Sequence, residues 1–317
     1  MAGVYIFGLT IATGRVELRQ VTHRKDPMAY VDSLIRTALE EDIGRGDLTS
    51  LACLEPNPLR AHIVAKSVGV LSGLMPALKV FDIVDSANRI TPLKQEGSAF
   101  AAGDIILNID GFNQTVLASE RVALNFLAHL SGVATMTSRF VAKLNGSRCR
   151  VLDTRKTTPG WRYLEKLAVQ HGGGVNHRFG LFDMILVKDN HIASAGSVTE
   201  AVRRAREFMK TSDFRLQFDI DLHDIFIEVE VTNENELREA CDSQVDRIML
   251  DNQSLASLAR LVESARKLNP SIQLEASGNI TLDTVAEVAA TGVDFVSIGA
   301  LTHSAPASDF SLKVVPG

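Results

Sequence analysis

Between Asp153 and His191 the chain reads DTRKTTPGWRYLEKLAVQHGGGVNHRFGLFDMILVKDNH, a stretch rich in groups that bind anions. From Arg148 to Lys188 eight Lys/Arg stand against three Asp/Glu, although the whole chain carries 33 basic and 38 acidic side chains. In DTRKTTPG, Arg155 is a forked donor suited to carboxylate or phosphate, Lys156 is a compact cation beside it, and Thr154, Thr157 and Thr158 add hydroxyls. In GGGVNHR, three glycines permit close backbone approach or positive φ and are followed by His177 and Arg178. Lys188 closes the apolar run MILV. It could be a neutralised amine that forms a Schiff base or a cation balanced by an anionic substrate, and an ion pair with Asp189 or another carboxylate is its purely structural role.

Glu230 and Asp251 end two further apolar runs. Such carboxylates can hold magnesium, accept hydrogen bonds from sugar hydroxyls or act as acid and base, and they can equally neutralise the cationic cluster. The small residues of EASGNI (Ser277, Gly278, Asn279) and SIGALTHS (Gly299, Ala300) suit a phosphate held on backbone N–H groups, with tight turns as the plain alternative. The chain contains neither GxxxxGK[ST] nor a strand-to-helix GxGxxG, which argues against a P-loop ATPase and a dinucleotide oxidoreductase.

With 317 residues, 45% of them hydrophobic, the chain has the composition of a globular protein of about two domains. A net charge of −5 argues against binding nucleic acid or an anionic membrane surface, so the local cations point to a small anionic ligand. Cys53, Cys149 and Cys241 are far apart and odd in number, which excludes a disulfide framework or zinc spacing and suits the cytoplasm. No apolar run has the length of a membrane span. Residues 1 to about 25 are expected to be a poorly ordered extension or edge segment.

Those reactive groups need a scaffold that gathers them. Val31, Leu34, Ile35, Ala38 and Leu39 recur at helical spacing and Gly44 is placed to stop that helix; RGDLTS then reads as a turn. From Arg60 to Gly111, short apolar runs punctuated by glycine predict an α+β module with a mostly antiparallel sheet. Residues 115–145 predict a long apolar helix broken near Ser131 and Gly132. Beyond it CRVLDT, DMILVKD, FIEVEV, RIMLDN, IQLEASG and FVSIGA alternate with helical segments, the pattern of a parallel sheet with crossover helices, closed or nearly closed into a barrel. Asp153/Arg155/Lys156, Lys188, Glu228/Glu230, Asp251/Asn252, Glu275/Ser277 and Gly299 all fall at or beyond strand C-termini, the rim where α/β barrels place their ligands.

In this order, EDIGRGDLTS, SERVALNFLAHLSGVAT, DTRKTTPGWRYLEKLAVQHGGGVNHR, LVKDNHI, EVEV, IMLDNQS, LEASGNIT and SIGALTHS resemble the signatures of the quinolinate phosphoribosyltransferase family over about residues 28 to 315. The first residues and TSDFRLQFDIDLHD lie outside the resemblance. It implies an α/β protein made of an N-terminal open sandwich (28–130), an incomplete six- or seven-stranded α/β barrel (131–302) and a C-terminal segment (303–317) that returns to the first domain, after an extension (1–27). It implies transfer of a phosphoribosyl group from phosphoribosyl pyrophosphate to quinolinate with decarboxylation, and a homodimer in which Arg121 reaches the partner's site. Thr154, Arg155, Lys156, His177, Arg178 and Lys188 would bind the quinolinate carboxylates and the pyrophosphate. Glu230 and Asp251 would engage ribose hydroxyls and Mg2+, with Lys156, Lys188, Glu230 and Asp251 as the catalytic set. Ser277, Gly278, Asn279, Ile298, Gly299, Ala300 and His303 would hold the 5-phosphate, although Asn279 stands where many relatives have glycine. A Schiff-base aldolase using Lys188, a phosphoribosyltransferase for another pyridine or a molybdenum-pathway compound, and a non-catalytic metabolite sensor are the competing readings.

Overall fold

The structure, a computed structural model, describes residues 9–12, 15–18, 27–214 and 225–315. The expected N-terminal extension lies largely outside the described residues, as does 215–224 within the longer segment noted above. Leu9–Ala12 (β1) and Arg15–Leu18 (β2) pair antiparallel.

Helix α1 (Pro27–Ile43) buries Val31, Ile35 and Leu39, a stripe at spacing four, and Gly44 ends it at φ +53°. The RGDLTS segment is not a simple turn. Asp47 Oδ1 accepts from the backbone N–H groups of Thr49 and Ser50 (3.0 and 3.1 Å), and this cap starts a short helix, α2 (Leu48–Cys53). Then follow β3 (Pro58–Ala65), β4 (Gly69–Val70), α3 (Leu74–Val84), β5 (Arg89–Pro92), β6 (Ala99–Phe100) and β7 (Ile105–Phe112). Strands β3, β5 and β7 form an antiparallel sheet whose other edge is the chain's last strand.

Helix α4 (Asn113–Lys143) is continuous, against the expected break at Ser131 and Gly132. Both residues are there for what packs on the helix. Ser131 Oγ accepts from Ser72 N (3.0 Å) and donates to Ser72 O (2.9 Å), while a Cβ on Gly132 would lie 2.3 Å from Pro306 O. Their helix-weakening tendencies yield to these tertiary contacts. The helix thus joins the sandwich to the barrel as one rigid element.

The barrel comprises β8 (Arg150–Leu152), α5 (Arg162–His171), β9 (Ile185–Val187), α6 (Asp189–Ala195), α7 (Val198–Met209), β10 (Ile227–Val231), α8 (Glu234–Asp242), β11 (Arg247–Asp251), α9 (Leu255–Leu268), β12 (Gln273–Ser277), α10 (Val285–Ala290), β13 (Phe295–Ser297) and α11 (Ala300–His303). Its six strands are parallel in the order β8-β13-β12-β11-β10-β9, so β8 and β9 do not pair and the barrel stays open. Val175 bridges part of the gap: its N–H donates to Val151 O (2.8 Å) and its carbonyl accepts from Asp153 N (3.2 Å). Val229, Val231, Ile248, Leu250, Leu274 and Val296 are buried, and the residues between them form the barrel's interior layers. After α11, β14 (Phe310–Val314) pairs with β3 and completes the antiparallel sheet, β14-β3-β7-β5.

Candidate active site

A cavity of about 360 Å³ opens at the C-terminal ends of the barrel strands. Thr154, Arg155, Lys156, His177, Arg178, Lys188, Glu230, Asp251 and Ser277 all line it, although they span more than a hundred positions of sequence. Leu186, Met249, Asn252 and Ser297 complete the wall, and Glu275, one layer down, lines its floor. Of these, Met249 could have been found from its shared parity with Asp251.

The loop after β8 is fastened from several sides. Lys156 N donates to Thr154 Oγ1 (3.1 Å), Thr302 Oγ1 to Lys156 O (2.7 Å), and Thr158 N to the buried Glu165 (3.0 Å), which also contacts His129 (2.7 Å). Arg162 binds Thr157 Oγ1 (2.9 Å), Phe179 O (3.1 Å) and Arg155 O (3.4 Å), and so ties this loop to the one after GGGVNHR. Lys166 is buried and donates to Asp153 Oδ1 (2.6 Å) and His177 O (2.9 Å). Burial pushes the Asp153 carboxyl up and the Lys166 ammonium down, and their contact opposes both shifts. Part of the cationic density in the sequence therefore builds the pocket, leaving Arg155, Lys156, Arg178 and Lys188 to face it. Desolvation, followed by the nearby Arg155 guanidinium, presses Arg178 below the usual arginine range, which favours an anion between the two.

Lys188 pairs with Glu230 through a short Nζ–Oε2 contact, a geometry that suits a cation better than a neutral Schiff-base amine. Asp251 accepts from Asn252 Nδ2 (2.8 Å). Beside it Gly278 is at φ +101°, and a Cβ there would lie 2.2 Å from Asn252 Oδ1. Asn279 takes φ +52°, a left-handed conformation that asparagine tolerates, and donates to Asn252 Oδ1 (3.3 Å). Gly299 leaves room for Lys156 and His303: a Cβ would lie 3.0 Å from Lys156 Cδ and 3.1 Å from His303 Nε2. Ala300 opens α11, and the Ile298 side chain is buried, so that residue can offer a ligand only backbone. Arg121 is exposed on α4 and is not among the residues lining this chain's cavity.

Glu228 and Glu275, expected at the rim, lie one layer below it and are fully buried. His177 Nδ1 accepts from Arg178 N (2.7 Å), which makes the ring neutral with its proton on Nε2, and Nε2 lies 3.1 Å from Glu228 and 3.6 Å from Glu275. From below, Arg247 reaches Glu275 (3.2 Å) and Gln273 (3.1 Å) and lies over the rings of Phe226 and Phe295 (4.9 and 4.2 Å). Desolvation is the main cause that raises Glu228 to about 7 and Glu275 to about 8, and for Glu275 the Glu228 charge adds to it. His177, Glu228 and Glu275 bring donor atoms within 4.8 Å of one another, as a metal site would, but the Arg247 guanidinium already supplies the cation. At the rim, by contrast, Glu230 and Asp251 offer hard oxygen donors on the open cavity, a donor set that fits Mg2+.

Residues 47–131 match the quinolinate phosphoribosyl transferase N-terminal domain family and residues 133–313 its C-terminal domain family. The chain is 42% identical over 275 residues to a probable nicotinate-nucleotide pyrophosphorylase [carboxylating] of Bacillus subtilis, covering 86% of this chain and 90% of the relative. A protein of the same name from Synechocystis is 40% identical over 289 residues, covering 91% and 94%. The solved nicotinate-nucleotide pyrophosphorylase from Francisella tularensis superposes with a TM-score of 0.84 at 38% identity, covering 92% of this chain and 98% of that one.

Proposed function

The chain belongs to the quinolinate phosphoribosyltransferase family, and from that premise we propose that it transfers the phosphoribosyl group of phosphoribosyl pyrophosphate to quinolinate with loss of CO2. The products are nicotinate mononucleotide and pyrophosphate, on the route to NAD. One observation carries the reading: Arg155, Lys156, Arg178 and Lys188 meet two carboxylates at a single cavity. A diacid together with a phosphorylated, pyrophosphorylated sugar brings about six or seven negative charges. At an effective dielectric of about 20 each contact pair is worth roughly 4 kcal/mol before desolvation, so several cations are needed.

Arg155, Arg178 and Lys188 grip the carboxylates, with Lys156 and Thr154 towards the pyrophosphate and His177 holding the loop that carries Arg178. Glu230 and Asp251 accept ribose hydroxyls. Backbone at Ser277, Gly278, Asn279, Ile298, Gly299 and Ala300, with His303, cradles the 5-phosphate. Glu230 and Asp251 would hold Mg2+, largely through water and substrate phosphates, and the ion supplies charge neutralisation of the pyrophosphate. The pyridine nitrogen attacks the anomeric carbon as pyrophosphate leaves through an oxocarbenium-like state whose positive charge the rim carboxylates accommodate. Positioning and electrostatics carry the rate. The positive charge on the quaternised ring nitrogen then stabilises the carbanion left on the adjacent ring carbon as CO2 departs, and a proton from solvent bonds to that carbon to complete nicotinate mononucleotide.

The working unit is a homodimer in which Arg121 enters the partner's pocket. Its exposure on α4, outside the cavity of its own chain, supports this arrangement. Mixing Arg121→Ala with Lys188→Ala protein restores part of the activity through hybrid dimers; no recovery in subunit-exchange assays removes the shared site. No described helix is long and apolar enough to cross a membrane, and the free cysteines suit a reducing cytoplasm, where we place the enzyme. The deciding assay measures CO2 and pyrophosphate released from quinolinate with and without phosphoribosyl pyrophosphate. Release that does not need the donor, preference for nicotinate, or borohydride trapping on Lys188 rejects the assignment.

A further inference from the structure

The reaction scheme leaves one fully buried acid without a part. Glu165 sits near the start of α5, where that helix packs on α4 in the outer helical shell of the barrel, and its side chain has no exposed surface. Its two oxygens reach two different segments: Oε1 lies 2.7 Å from His129 Nε2 of α4, and Oε2 accepts the Thr158 N–H at 3.0 Å. Packing alone does not call for an acid there. Enclosing a carboxyl costs free energy that a methionine of similar length would not, and residues 158–160 are exposed, so water would satisfy the Thr158 N–H in its place. What the bond adds is a fixed position for the backbone two residues after Lys156.

The support behind that bond is itself rigid. The His129 ring meets Trp161 edge-on at 5.2 Å, and Trp161 stacks on Phe126 at 4.7 Å, so α4 holds both the partner of Glu165 and the residue that ends the loop. Tyr30 of α1 adds a further tie, its hydroxyl donating to Gly160 O at 2.6 Å. The far half of the DTRKTTPG loop is thus fastened to helices α1 and α4, while Arg162 and Thr302 fasten its near half. We propose that Glu165, held by His129, is a positioning residue for the pyrophosphate end of the substrate: by fixing the backbone at Thr158 it sets the approach of Lys156 and Thr154 to the anion. The quinolinate carboxylates depend on this loop less, because Arg178 and Lys188 grip them from other segments, whereas Lys156 and Thr154 both belong to it.

The kinetic readout rests on the phosphoribosyltransferase reading, whereas a second readout, hydrogen exchange of the loop, does not. Glu165→Met keeps the side chain's length and removes the acceptor. Glu165→Gln keeps a carbonyl oxygen for Thr158 and offers His129 an amide N–H, which the other imidazole tautomer accepts. Glu165→Met raises the KM for phosphoribosyl pyrophosphate by ~10-fold or more, within what a displacement of about 1 Å can cost, while the KM for quinolinate changes much less. In exchange followed by mass spectrometry, the peptide covering residues 155–160 exchanges faster in Glu165→Met, and Glu165→Gln stays close to wild type in both readouts. A purely structural Glu165 would lower the folded fraction, and with it kcat, and leave both KM values in place; that result overturns the proposal. An equal KM shift in Glu165→Gln, or unchanged exchange in Glu165→Met, overturns it as well. Should Glu165→Met fail to fold, His129→Phe keeps a ring against Trp161 and loses the nitrogen: a smaller shift of the same KM supports the proposal, and an unchanged KM overturns it. Wild-type protein that does not turn over quinolinate rejects the assigned reaction and leaves the exchange comparison standing.

Discussion

The rim of the barrel and the layer beneath it are built by the same strands and use the same residue types. Glu230 and Glu228 lie two residues apart on β10 and face the same interior, roughly 6–7 Å apart in depth. Glu230 borders the cavity and pairs with Lys188, whereas Glu228 is fully buried and its carboxyl is raised to about 7. The cations divide likewise: Lys188 opens on the cavity, while Lys166 is sealed against Asp153. Depth therefore separates binding groups from construction groups of identical chemistry. Rim substitutions should remove activity and spare the fold, and substitutions one layer down should do the opposite.

The largest expected effect lies below the rim. Lys166→Met leaves Asp153 buried without its cation and costs about 3–5 kcal/mol of stability, read by denaturant unfolding. Little loss there would erase the distinction. At the rim, Arg155→Ala and Lys188→Ala each lower kcat by ~10²–10³-fold in the CO2 assay, the scale for removing one preorganised electrostatic group, with thermal unfolding nearly unchanged. Near-normal rates would refute those roles.

A subtler consequence sharpens the contrast through pH. Glu228 and Glu275 have folded values raised to about 7 and about 8 above an ordinary 4.5. A raised carboxyl favours the protonated folded state, so this contribution is complete below about pH 4.5 and is lost as pH climbs towards about 8. Thermal unfolding scans between pH 5 and 9, values spanning that window, should show a falling Tm that Glu275→Gln flattens. An equal slope in the variant would mean that other groups set the pH dependence.

Much of this was legible from residue order. The stop at Gly44, the antiparallel module, the six strand runs and the anion-binding segments follow from periodicity, glycine placement and side-chain chemistry. The helix start at Asp47 was open to reading too, since a capping aspartate and a turn aspartate use the same local hydrogen bonds. The unbroken α4 was not, because Ser131 and Gly132 weaken a helix taken alone and are explained only by Ser72 and Pro306, distant in sequence.

Residue types and their spacing determined which elements form and which groups can bind anions, because helix and strand periodicity and side-chain charge are local properties. Tertiary structure alone decided that the cations of one segment split between pocket and interior, that Glu228 and Glu275 are buried one layer below the rim, and that Arg247 pairs with Glu275 from beneath. Burial and charge balance depend on what the chain brings from elsewhere, and a group's protonation and role follow from that surrounding.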